Sequence, residues 1–95
     1  MPFYFRLARL TEKAHQNIQN MDQMLADAKT VMEQNGARIV QAYSTLGQYD
    51  VIALIEAPDD RTAAKISAMI ANQGHFKAET LPAIPMQDFI DSTRK

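Results

Sequence analysis

The chain of 95 residues contains no cysteine and no tryptophan, and it has only three glycines and four prolines. Without cysteine there is no disulfide framework, no thiol nucleophile and no thiolate metal site, a pattern that suits a cytoplasmic protein. Charge of one sign is also lacking: Lys and Arg number 10 against 11 Asp and Glu, for a formal net charge of −1. A balanced surface gives no electrostatic reason to bind nucleic acid or an anionic membrane. The apolar N-terminal run MPFYFRLARL is interrupted by Arg6 and Arg9, so it reads as a strand, not as a signal peptide or a membrane span. Neither a His-rich nor a carboxylate-paired spacing is present, and no metal site and no cofactor are expected.

What is present is periodicity. Phe3 to Leu10 alternates, placing Phe3, Phe5 and Leu7 on one side and Tyr4, Arg6 and Ala8 on the other, as in a half-buried strand. After a weaker stretch from Thr11 to Asn20, the residues Met21, Met24, Leu25, Ala28 and Met32 recur at helical spacing. Asn20 and Gln23 resemble a capping pair at its start, and Asn35 and Gly36 supply the stop. Ala37–Leu46 and Tyr49–Ala57 are strand-like and separated by Gly47 and Gln48, the signature of a two-residue II′ hairpin. That turn predicts the pairs Ser44 with Val51, Ala42 with Ala53 and Val40 with Ile55 on one face. Thr45 with Asp50, Tyr43 with Ile52 and Gln41 with Leu54 fall on the other. Pro58 ends the strand, and Asp59 or Asp60 caps a second helix whose inner stripe is Ala63, Ile66 and Ile70. Gly74 closes that helix, His75–Leu81 is a fourth strand, Pro82 and Pro85 break the ladder, and Met86, Phe89 and Ile90 form a short helical turn.

The order β-α-β-β-α-β predicts one α+β domain over residues 1–95, ferredoxin-like, with a four-stranded antiparallel sheet in the order 4-1-3-2 and both helices on one face. The other face is then open. On this reading it carries Tyr4, Arg6, Ala8, Gln41, Tyr43, Ile52, Leu54, Lys77 and Glu79, a mixture too apolar to be merely solvated. Sheet-to-sheet association into a homo-oligomer, most simply a dimer, follows.

The stretch LGQYD, followed by IEAPDD and later by GHFKAETL, resembles the GYD-domain family of small ferredoxin-like proteins. Its hairpin motif falls on Gly47, Tyr49 and Asp50, its helix start on Pro58, Asp59 and Asp60, and its late strand on Glu79, Thr80 and Leu81. Asn17 matches the asparagine of the first connection. The chain departs from the family pattern at Ala14, Met24 and Ala78, where glycine, arginine and threonine are usual. The missing arginine counts against an anion-binding role inferred from the family. The hairpin is similar to that of the amino-acid-sensing domain of Lrp/AsnC regulators, and the element order to dimeric α/β-barrel proteins; neither likeness of fold settles function.

Two functional classes are carried forward. As a small-molecule binding or sensing module, the protein would hold a metabolite at a subunit interface or between helices and sheet, with Arg6, Asn17, Tyr49 and Asp50 as polar contacts. As a cofactor-free monooxygenase or isomerase of the dimeric α/β-barrel type, it would use His15 with Tyr43 or Tyr49 in proton transfer. Binding is favoured, because no nucleophile with its base and no oriented acid pair can be assembled. Against each candidate stands a structural role: a hairpin clamp for Asp50, packing for Tyr49, helix capping for Asp59 and Asp60, and plain exposure for His75.

Overall fold

The computed structural model describes residues 1–94. Its elements are β1 (Phe3–Leu10), α1 (Glu12–Gln16), a 3-10 turn at Ile18–Asn20, α2 (Met21–Gln34), β2 (Arg38–Ser44), β3 (Val51–Glu56), α3 (Asp60–Asn72), β4 (Phe76–Ala83) and α4 (Met86–Ser92). The strands form an antiparallel sheet in the order β2-β3-β1-β4, the expected ferredoxin-like α+β arrangement. One sheet layer and one helix layer make a molecule 17 Å across its shortest axis.

Local chemistry explains most of the boundaries. Asp59 caps α3 by accepting the Thr62 N–H at 2.8 Å, and this bond with the nearby Arg61 holds its carboxyl below the usual carboxylate range. The inner stripe of α3 is Ala63, Ile66 and Ile70, as its spacing predicts. α2 buries Met24, Ala28, Val31 and Met32, while Leu25 lies partly exposed and Met21 only packs at the margin. Asn20 does not cap α2 with its side chain, because the chain enters from a turn that is already helical and the Asn20 N–H bonds to Asn17 O. The weak stretch after β1 holds α1, whose cap is Thr11: its Oγ1 accepts from the Ala14 N–H. Pro82 lies within β4, opposite Tyr4; β4 is an edge strand, where a residue without an N–H is tolerated.

Hairpin pairing follows the expected register at Ser44 with Val51, Tyr43 with Ile52, Ala42 with Ala53 and Gln41 with Leu54. Two corrections apply. A bulge between Ile39 and Gln41 sets Ile39, not Val40, opposite Ile55. The strands also stop at Ser44 and Val51, so residues 45–50 form a wider loop in place of the two-residue turn. The last ladder bond runs from the Thr45 N–H to Asp50 O, Thr45 Oγ1 donates to Tyr49 O, and the Asp50 N–H is drawn to β1 at Ala8 O. Gly47 still takes a positive φ, +101°.

The larger correction concerns β1. Tyr4, Arg6 and Ala8 face the helices and are buried, while Phe3, Phe5 and Leu7 lie on the open face beside Ile52 and Leu54. The helix-facing row is completed by Ala53 and Ile55 of β3, both buried. Small residues such as Ala8 and Ala53 let the helices approach the sheet. Bulky Tyr4, Met32, Ile55, Ile66 and Ile70 fill the space between, each contributing about 1.5–3 kcal/mol through burial of apolar surface.

Candidate functional site

At the end of the sheet where β1 leaves and the hairpin turns, Asp50 ties two strands together. Its N–H donates to Ala8 O at 2.9 Å, and its Oδ2 accepts the N–H of Leu10 at 2.8 Å. The β1–β3 register ends at Ala8 with Val51, so Asp50 continues the connection one step beyond the ladder with a side chain. α1 brings His15 over the same carboxylate, Nε2 to Oδ2 at 3.7 Å. The helix is held there by Thr11, whose Oγ1 also donates to Gly74 O at 2.7 Å. His15 and Asp50 form the polar edge of a pocket of about 330 Å³ whose other walls include Leu10, Ile18, Met21, Leu25 and Val51. This is an apolar hollow with a few convergent polar groups, the usual composition of a small-molecule site. The His15 side chain is 56% exposed, so it meets solvent as readily as the pocket.

Tyr49, one residue earlier, turns to the opposite side of the sheet. Its hydroxyl donates to the Glu79 carboxylate, and the Arg9 guanidinium lies 5.5 Å from its ring centre. The bond to Glu79, followed by burial, raises the phenol's pKa above its ordinary value. Arg9 Nε donates to Gln48 O at 2.9 Å, so the loop tip is fastened to β1 from this side too. Leu7, Arg9, Tyr49, Lys77 and Glu79 line an open groove of about 380 Å³ at one end of the bare face. Tyr43, 59% exposed, stands on that face opposite Ile52.

The remaining candidates are elsewhere. Arg6 is buried beneath α3, with Nη1 donating to Ser67 Oγ at 3.0 Å and to Thr80 Oγ1 at 3.5 Å. Asn17 donates from Nδ2 to Lys13 O and lines a wide groove with Lys13, Asn20, Asp22, Asp27 and His75. In that groove His75 Nε2 lies 3.5 Å from Asp27 Oδ2. Thus His15 and Asp50 are brought together, and Tyr43 of the edge strand borders the same pocket, whereas Arg6, Asn17 and Tyr49 occupy separate places. Sequence reasoning missed the link from Tyr4 to Asp60, a 2.6 Å bond from the phenol to Oδ1. That bond and burial push the Tyr4 pKa up to about 12. The buried alternation partner of Arg6 and the acid at the start of α3 were the available signal. Among the described residues, no group of three or more His, Asp or Glu side chains could hold a metal ion. No helix of the described residues is long and apolar enough to cross a membrane.

Most of the polar groups in these places are committed to internal bonds. Asp50 Oδ2 holds Leu10, Tyr49 holds Glu79, and Tyr4 holds Asp60. The arrangement therefore favours recognition over proton chemistry.

Comparison with known proteins agrees with the hairpin motif. The GYD domain model matches residues 4–92. A Thermus thermophilus protein named as a glutamine synthetase and cystathionine beta-lyase binding protein is 32% identical over 91 residues, spanning 95% of this chain and 96% of that one. A solved Thermus thermophilus structure superposes with a TM-score of 0.57 at 22% identity, covering 90% of this chain and 95% of the other. The leucine response regulatory protein of Mycobacterium tuberculosis gives 0.59 at 12% identity, over 88% of this chain and 51% of the regulator. These two likenesses are of fold alone. With the family model over nearly the whole chain and the motif at Gly47, Tyr49 and Asp50 in place, the chain belongs to the GYD-domain family.

Proposed function

We propose that this protein is a self-associating binding module that docks onto a metabolic enzyme. The observation that supports it is the bare sheet face. Phe5 is 40% exposed, Leu81 directly opposite it on β4 is 44% exposed, and Ile52 and Leu54 lie beside them. A contiguous apolar stripe flanked by the Arg38–Glu56 ion pair at 3.0 Å and by Lys77 and Glu79 has the make-up of a protein interface with a polar rim. In the absence of the enzyme, two copies stacked through this face form a homodimer of isologous design, which docking would exchange for the enzyme. Because the Thermus relative is named for binding glutamine synthetase and cystathionine beta-lyase, those two enzymes are the first partners to try. A cytoplasmic location goes with such partners. The test is sedimentation velocity of this chain with each enzyme purified from the same source. Co-sedimentation of the wild type supports the reading, and independent sedimentation at micromolar concentration removes it.

A second reading rests on the 330 Å³ pocket at His15 and Asp50: a small metabolite held between helices and sheet would make the module a sensor that couples ligand to docking. A cofactor-free monooxygenase or isomerase draws less support, since its base would be an exposed His15, Tyr49 is bonded to Glu79 on the other side of the sheet, and Tyr43, which borders the pocket, is itself 59% exposed. The sensor reading is tested by a thermal-shift screen of metabolites, with His15 ring signals in NMR locating any ligand that stabilises.

A further inference from the structure

Arg6 is a charge buried without a counter-charge. The side chain is 6% exposed, at the centre of β1 and under α3. Its hydrogen-bond partners are the neutral hydroxyls of Ser67 and Thr80, which also bond to each other at 2.8 Å. Among the described residues no carboxylate lies within ion-pair distance of it; the ion pairs are His15–Asp50, Arg38–Glu56 and His75–Asp27. Burial of an unpaired charge is strongly unfavourable, and proteins meet that cost with an opposite charge or a shifted equilibrium. Desolvation does lower the Arg6 pKa, but a guanidinium stays protonated in the accessible pH range.

Beside Arg6 lies a partly open cavity of about 30 Å³ whose lining includes Ala28 and Met32 of α2, Ile70 of α3, Ala53 of β3 and Phe76 of β4. It has room for roughly two atoms the size of a water oxygen. Only Nη1 of Arg6 makes hydrogen bonds among the described residues. The Nε–Nη2 edge makes no bond within the described residues and, unlike Gln73 Oε1 and His75 Nδ1, is not sealed from solvent; that edge matches the two oxygens of a carboxylate in a bidentate fork. The cavity abuts a larger hollow. It shares Leu25 and Val51 with the 330 Å³ pocket at the edge of the helix layer, whose apolar walls would receive a hydrocarbon tail.

We propose that the gap between α2 and the sheet binds an apolar monocarboxylate, with its carboxylate on Arg6 and its tail passing Leu25 and Val51 toward the pocket at His15. No acidic side chain lines the inner cavity, so an amino acid, which would carry its ammonium in beside the carboxylate, is disfavoured. The ligand class is an aryl or branched aliphatic acid without a neighbouring cation. This site extends the sensor reading by naming a chemistry and a position. It is separate from the docking face, so failure to bind an enzyme leaves it untouched.

The test compares 3-phenylpropionate with 3-phenylpropylamine, phenylalanine and chloride at equal ionic strength. 3-Phenylpropionate is expected to raise the Tm saturably and to shift the Arg6 Nε–H signal, with nuclear Overhauser contacts from its ring to the Leu25 and Val51 methyls. Arg6→Gln should weaken it at least tenfold, with Arg6→Lys in between because it keeps the charge and loses the fork. The proposal is overturned if the amine or phenylalanine binds as well as the acid, or if chloride alone gives the full stabilisation, which would mark a bare anion site. Ring contacts to Phe5 or Leu54 in place of Leu25 and Val51 would also overturn it. Should Arg6→Gln fail to fold, the wild-type contacts and the acid-against-amine comparison still decide.

Discussion

The carboxylate of Asp50 accepts the backbone N–H of Leu10 across 40 positions of sequence, at 2.8 Å, so a side chain replaces a ladder bond where β1 and β3 diverge. A charged acceptor on a part-buried amide contributes about 1.5–3 kcal/mol, and removing it leaves the Leu10 N–H unpaired. Asp50→Ala is therefore expected to lower stability by about that amount in urea denaturation. Asp50→Asn keeps an acceptor oxygen and loses the charge, so it should cost about half as much. An unchanged midpoint in both variants would show that Asp50 serves something other than the hairpin.

Element order, sheet order and much of the hairpin register could be read from alternation and from the single glycine between two β-branched runs. The faces of β1 could not, and the reason is physical. Phe3, Phe5 and Leu7 are the more apolar row, so hydropathy alone turns them inward. Tyr4 and Arg6 are inside because α3 meets them with Asp60 and Ser67, partners more than 50 positions away that no local pattern displays. A half-buried strand with one bare face can send its apolar row to either side; the long-range hydrogen bonds decide. The same blindness scattered the candidate site. Alternation along β3 places Asp50 on the open face with Ile52 and Leu54, but residues 45–50 leave the ladder and reverse it: Asp50 turns to the helix side, where His15 reaches it through the unforeseen helix α1, and Tyr49 turns to the open side. Arg6, too, belongs to the helix side and not to the open face that its alternation suggested, where a solvated role would have sufficed.

Gly47 sits at φ +101° with nothing within 4 Å of the place a Cβ would take. The constraint is therefore backbone strain and not a clash. Gly47→Val should destabilise by about 1–3 kcal/mol, and Gly47→Asn by less, since asparagine tolerates positive φ better. If valine and asparagine were equal in a denaturant titration, the loop would be shown to relax freely.

Tyr4 gives stability an alkaline limb. Its phenol donates to Asp60 and its pKa stands at about 12, above the ordinary 10.0. A raised phenol pKa means that the folded state prefers the protonated form. The contribution is fully present below pH 10 and is lost as pH rises toward 12, because the unfolded chain releases the proton first. Tyr4→Phe should lower stability at neutral pH by removing the bond, and should flatten the decline between pH 10 and 12. Melting curves across that window check both, and a wild type whose Tm is level there would refute the assignment.

α4 has no buried residue, and Met86 and Phe89 are left more than half exposed, Phe89 at 53%. The helix follows β4 after Ile84 and Pro85, which with Phe3, Phe5 and Leu54 line an apolar hollow of about 270 Å³ on the bare face. A helix with an unmet apolar side next to an unmet apolar hollow is accounted for if a second copy covers both. Leu54→Asp on the sheet and Phe89→Asp on α4 should then each shift the sedimenting species toward the monomer at micromolar concentration. The two differ in what else they disturb. Leu54 sits within a strand, so its variant should also lose thermal stability, because the subunit draws part of its stability from its partner. Phe89 is half exposed on a helix with no buried residue, and its variant should leave the far-UV spectrum unchanged and the monomer's urea midpoint nearly so. A wild type that sediments as a monomer would remove the association itself, and a Phe89→Asp protein that keeps the wild-type mass while Leu54→Asp does not would confine association to the strands and leave α4 without a part in it.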